Sequence, residues 1–319
     1  MTRRHSTTCD DAVSRLEKND PSLVVCNLRC ALLHAETSSG DMRLARVAEA
    51  MRQNTILTEL DLRSNMIGPV GAISFRQALS RRCPPLASLD LKENVLGNDG
   101  AASIAALIVR CHSLTYLNLS ANHIGDFGAA DIAPSVRYTS IKKLVLNGNR
   151  IGDKGAASLA TALSRHGIVE LGLGANLIAN AGAGALAEMI VSNSTLSSVD
   201  LHGNRIENGG AEALALALKD ASLANINLDN NWIKDAGAIH LADVLIANPR
   251  FTTLSLAGNR YGSPGAQALQ KCRGEAAART AAFEKRQRKV ARRERRRTQD
   301  NRYNECGGHE DCTLDCTIV

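Results

Sequence analysis

The chain has 319 residues, of which only 3% are aromatic, while Ala, Leu and Gly abound. That composition excludes one thick core built on large rings and suits many thin layers of small side chains. The formal charge of +6 is local: residues 271–297 hold twelve Lys or Arg against three Glu, residues 298–319 carry a net of −4, and the remainder is close to neutral. With so few aromatic rings for base stacking, recognition of nucleic acid is not expected.

The N-terminal flank, residues 1–22, opens MTRRHSTTCDD with no apolar run of signal-peptide length. No later stretch approaches the roughly 18 apolar residues of a membrane span. A cytoplasmic protein is therefore expected. Nine cysteines is an odd number, and Cys26, Cys30, Cys83, Cys111 and Cys272 follow repeat positions rather than a bridge framework. Reduced thiols packed as small apolar groups are the expectation.

From residue 23 to residue 272 the chain repeats itself. The first unit is degenerate: Leu23, Cys26 and Leu28 hold apolar positions, but Ala31 stands where the later copies have asparagine. It reads as a cap, since an end repeat has fewer neighbours to bond. The phrase LxxLxLxxNxI then starts at Leu57, Leu86, Leu114, Ile141, Ile168, Leu196, Leu223 and Phe251. Its asparagines, Asn65 to Asn259, recur every 27 to 29 residues. Alternation around Leu60 and Leu62 predicts a short strand with leucines inward and polar neighbours outward. Each copy returns through an Ala/Leu-rich helical stretch of about 12 residues, so the strands must be parallel, with the helices on the other side. The asparagine amide is placed to satisfy backbone groups where the chain turns inward. A glycine six residues further on, such as Gly128 or Gly155, lets the helix start close under the strand.

These residues resemble the ribonuclease-inhibitor-like class of leucine-rich repeats, found in ribonuclease inhibitor, the GTPase-activating protein for Ran and NOD-like receptors. The resemblance covers residues 23–272 and implies an α/β solenoid of about nine repeats, a horseshoe with a parallel sheet on the concave face and helices on the convex face. It implies a protein-binding scaffold rather than an enzyme, with activation of a small GTPase as the alternative. That alternative is set against a difference: the Ran-activating family carries an acidic tail after its repeats, and this chain carries a basic stretch.

Residues flanking the inward leucines form columns on the concave face, where a protein partner is expected. Near the beginning stand Glu59, Asp61, Arg63, Asp90, Lys92, Glu93 and Tyr116. In the middle, Gly172, Gly174 and Ala175 are expected to leave the surface bare. Toward the end come Asp200, His202, Asn225, Asn227, Asp229 and Asn230, with Trp232 in the adjoining turn. Contact is expected at the two ends of the arc, because bulky aromatic and charged groups anchor interfaces. A merely solvated face is the competing account, and for Trp232 the competing account is a ring packed over the next repeat.

Residues 273–300 have the composition of a charged helix. Attraction of residues 283–297 to an anionic membrane surface competes with contact to nucleic acid, a nuclear-import signal and, as the commonest reading of such a run, a plain solvated charged helix. The Cys-rich tail, residues 301–319, ends Cys316-Thr317-Ile318-Val319, which resembles a prenylation box, and a nearby basic stretch supplies the second attraction such an anchor needs. Peripheral membrane association through lipidated Cys316 is the expectation. The rival is a free C-terminus captured by strand addition. Cys306, His309, Cys312 and Cys316 match no defensible zinc spacing, so no metal is expected. Nor is a cofactor, since no phosphate loop, hydrolase elbow or HExxH motif is present.

Overall fold

The computed structural model describes residues 8–32, 40–272 and 274. Helix α1 (Cys9–Glu17) precedes nine strands: β1 (Val25–Asn27), β2 (Glu59–Asp61), β3 (Ser88–Asp90), β4 (Tyr116–Asn118), β5 (Lys143–Val145), β6 (Glu170–Gly172), β7 (Ser198–Asp200), β8 (Asn225–Asn227) and β9 (Thr253–Ser255). Between them run α2 (Gly40–Met51), α3 (Pro69–Ala78), α4 (Gly97–Ile108), α5 (Asp126–Val136), α6 (Asp153–Leu163), α7 (Asn180–Ser192), α8 (Asn208–Leu218) and α9 (Asp235–Ala247). The strands form one parallel sheet in sequence order. Each helix packs on the next. Parallel strands lie about 4.8 Å apart and packed helices about 8–10 Å apart. The strand side is therefore the shorter, inner side of an arc, and the expected solenoid with a concave sheet is what the chain builds.

The core is a continuous strip rather than a ball. Every strand buries its central residue, and Leu57, Leu60, Leu62 and Ile67 of one repeat are repeated as Ile141, Leu144, Leu146 and Ile151 of another, all at most 1% exposed. From the convex side, alanines such as Ala129 and Ala156 meet them with no exposed surface. Burying each Leu or Ile contributes about 1.5–3 kcal/mol. Small helix residues are what let neighbouring helices approach closely enough to seal the strip.

The asparagines form the expected ladder. Asn149 Nδ2 donates to the Leu119 and Leu146 carbonyls, and its Oδ1 accepts from the Asn122 and Ile124 amides. Asn65, Asn94, Asn176, Asn204, Asn231 and Asn259 repeat this link between their own repeat and the preceding one. The residue before each asparagine has a left-handed backbone, as in Ser64 (φ 57), Glu93 (φ 60), Ala121 (φ 53) and Ala175 (φ 52). That conformation turns the chain inward at the strand end and disfavours a β-branched side chain there.

A second ladder was not foreseen. Four residues after the asparagine stands Asp or Asn, and its carboxylate or amide oxygen accepts from two amides of the next repeat. Asp126 Oδ1 takes the Gly152 and Gly155 amides at 2.7 and 2.8 Å. Asp153, Asn98, Asn180, Asn208 and Asp235 do the same. This explains the helix-start glycines more sharply than close packing under the strand: a Cβ at Gly155 would lie 2.7 Å from that Asp126 oxygen. Pro69 occupies this position in its repeat and offers no such oxygen. In the next repeat α4 starts one residue earlier relative to its asparagine, and Gly97 turns left-handed (φ +59) where its counterparts Gly125 and Gly152 are extended.

One expectation is corrected. Cys83 and Cys111 are not reduced thiols but a disulfide, Cα to Cα 5.3 Å, joining the segments that follow α3 and α4. The repeat spacing that spoke against a bridge is its cause, since residues 28 positions apart in this chain lie side by side in adjacent repeats. Cys9 and Cys26 are buried thiols, as expected, and burial pushes Cys26 up to about 12.

Candidate protein-binding face

Strand register decides which outward side chains meet. Asp61 pairs with Asp90 and Asp90 with Asn118, so two carboxylates stand on adjacent strands. Left alone they would repel. Arg63 resolves the conflict: its guanidinium donates to both Asp61 oxygens, at 2.9 and 2.6 Å, and its Nε lies 3.6 Å from Asp90. Asn118 Nδ2 donates to the other side of the cluster, 3.2 Å from Asp90 Oδ2. Burial opposes ionisation of Asp61, but the hydrogen bonds from Arg63 prevail and hold its carboxyl below the usual range. For Asp90 burial prevails and the carboxyl is raised. The phenol of Tyr116, half-buried beside Asp90, is raised chiefly by burial.

Around this cluster Lys92 pairs with Glu93 at 3.2 Å, and Ser64 Oγ donates to Glu93 at 2.7 Å. Glu59 is exposed. Lys143 and Glu170, in register on β5 and β6, form an ion pair of 2.5 Å. Neither was singled out from sequence, although both occupy the outward column that holds Glu59 and Tyr116.

The middle of the face is not bare, which corrects the reading of Gly172, Gly174 and Ala175. The glycines make a trough that neighbouring side chains fill. Asn147 lies over Gly172, where a Cβ would stand 2.8 Å from its Oδ1, and reaches across to donate to Asp200 at 3.1 Å. Its Oδ1 accepts from the Gly174 amide. The His202 imidazole lies over Gly174, in space that any Cβ there would occupy, and His202 Nδ1 is 2.8 Å from Asp200 Oδ1. Asn147, Asp200 and His202 thus form one polar bridge across three repeats. Asn147 was missed because its reach to Asp200, two strands away, depends on glycines of the strand between them.

At the far end Asp229 accepts from Ser255 Oγ and the Ala257 amide, both at 2.6 Å, so its carboxylate is tied into the last repeat. Asn227 Oδ1 accepts from the Asp229 amide. Trp232 stands apart from the columns, in the turn after the asparagine, with the Arg260 guanidinium 4.6 Å from its ring centre. This is the ring packed over the next repeat. The structure therefore gathers Asp61, Arg63, Asp90 and Tyr116 at one end of the face and Asp200 with His202 further along it. Trp232 lies off it. Cys316 and residues 283–297 lie outside the described residues. Among the described residues no group of His, Cys, Asp and Glu could hold a metal ion, and no helix is long and apolar enough to cross a membrane.

The leucine-rich-repeat family model matches residues 53–75, 82–105, 110–133, 139–160 and 192–215. No curated protein matches the sequence. Among solved structures, the chain is similar to a plant ice-binding protein, at 18% identity over 67% of this chain and 60% of that one, with a TM-score of 0.42. It is also similar to the leucine-rich-repeat ectodomain of the Arabidopsis receptor kinase HAESA, solved with a peptide hormone, at 18% identity over 67% of this chain and 32% of that one, with a TM-score of 0.37. The chain thus spans less than two thirds of either protein.

Proposed function

Leucine-rich repeats build protein-interaction scaffolds, and we propose that this one holds a protein partner against its concave sheet, acting as a holder and not a catalyst. The observation that carries the reading is the Arg63 cluster: Arg63 and Asn118 hold Asp61 and Asp90 together across neighbouring repeats before any partner arrives, with Tyr116 half-buried beside them. Side chains already ordered lose little entropy on binding, so their contacts count almost in full toward affinity. Lys92 and Glu59 flank the cluster, while Asp200, His202 and Asp229 supply a second anchor. The test is affinity for a partner recovered on the immobilised protein. Tyr116→Ala and Lys92→Ala together are expected to weaken it at least about tenfold with unchanged melting. Undiminished affinity would leave only a solvated face.

The helix in every repeat supports the ribonuclease-inhibitor-like subtype, and with it the alternative of small-GTPase activation. Stimulation of GTP hydrolysis by the purified protein would favour that alternative over a passive scaffold. The membrane-tether reading rests on the basic run 283–297 and on Cys316 in the sequence. A fluorescent fusion carrying Cys316→Ser is expected to leave the membrane, and unchanged localisation would remove the tether.

A further inference from the structure

Away from the concave strands, the C-terminal ends of α5 and α6 enclose a notch of about 480 Å³. Arg137 caps α5, Arg165 and His166 follow α6, and Lys142 enters from the segment leading to β5. No carboxylate lines the notch. The comparable notch between α2 and α3 differs: it contains Glu49, which pairs with Arg52 at 2.5 Å. Among the described residues Arg137, Lys142 and Arg165 belong to no ion pair, the bridges lying elsewhere.

Helix ends explain part of this. A helix C-terminus carries about half a negative charge, so two ends account for roughly one of the three cations. Lys142 Nζ donates to the Gly167 carbonyl at 3.0 Å, and a Cβ at Gly167 would lie 2.6 Å from that nitrogen, so the glycine makes room for the ammonium. His166 Nε2 stands 3.0 Å from the Thr139 carbonyl, which can only accept, so this nitrogen carries the proton. His166 Nδ1 is buried with no hydrogen-bond partner. The surplus is positive charge without a counter-ion in a concave site.

We infer that this notch binds a tetrahedral oxyanion, a phosphate group gripped by the Arg137 and Arg165 guanidinium forks with Lys142 as a third positive contact. Guanidinium forks match phosphate oxygens in pairs, which a dispersed positive surface does not. The site is independent of the partner proposed for the concave face.

The test titrates the full chain with inorganic phosphate and, separately, with a short phosphoserine peptide, followed by calorimetry and NMR shifts of the His166 ring. Saturable one-site binding is expected, weakened about tenfold or more by Arg137→Ala or Arg165→Ala. Arg150→Ala, which removes the same charge from the other edge of the solenoid, is expected to leave it unchanged, and melting of all three variants to stay that of the parent. Tighter binding of the peptide would mark a phosphorylated protein as the source of the anion, and equal binding would mark free phosphate. Linear, non-saturating shifts, or equal weakening by Arg150→Ala, would overturn the inference by reducing the notch to general charge screening.

Discussion

Two aspartates one strand apart titrate in opposite directions because one arginine serves them unequally. Asp61 receives the full guanidinium fork, and its carboxyl sits below the ordinary value near about 3.9, while Asp90 receives a contact at 3.6 Å and burial raises it. The linkage signs follow. Asp61, depressed in the fold, contributes stability that is present above its unfolded pKa and is lost as pH falls through its folded value. Asp90, raised in the fold, costs stability when charged, and that cost is relieved as pH falls through its raised folded value. Carboxyl NMR titration is expected to place Asp61 below and Asp90 above the unfolded range, and Arg63→Ala to move both upward. Because Arg63 is about a third exposed, the loss of stability at neutral pH is expected to stay near about 1 kcal/mol. The outward position of both aspartates was legible in the alternation around Leu60 and Leu89. Their coupling was not, because register and burial are set by neighbouring repeats.

At the level of the element, the helix starts show how one repeat specifies the next. In this chain Asp and Asn do the same work four residues after the ladder asparagine: Asp126 and Asn98 each accept from two amides of the following repeat. Only an oxygen is needed, not a charge. Asp126→Asn is therefore expected to keep stability within about 0.5 kcal/mol, whereas Asp126→Ala strands two donors and is expected to cost about 1–2 kcal/mol, the range of a lost helix cap, by chemical denaturation. Equal cost for both would show that charge near the helix end, and not the pair of bonds, is what matters. The alternation of Asp and Asn at this position was visible in the sequence. Its role was not, because the amides it serves lie 26 to 30 residues away. The same blindness hid the Cys83–Cys111 bridge, where equivalent positions in successive repeats become neighbours in space.

For the whole molecule, stability is a sum of repeats and the seams between them, so the same lesion has different reach in different places. The asparagine ladder was the most legible feature because each rung depends on a local motif, and only the value of a rung depends on its place. Asn149 is 7% exposed and makes four bonds, three of them to the preceding repeat. Asn259, near the end, is part-buried and makes three. Leucine at either position removes the partner and leaves backbone groups unpaired, at about 1–3 kcal/mol for each buried group left so. Asn149→Leu is expected to divide the stack, so that hydrogen exchange accelerates on both sides of β5 and the melt broadens or splits. Asn259→Leu is expected to accelerate exchange only from β8 onward, with the main transition unmoved. Uniform acceleration along the chain in both variants would mean that the repeats melt as one block, and the nearest-neighbour account of this solenoid would have to be abandoned.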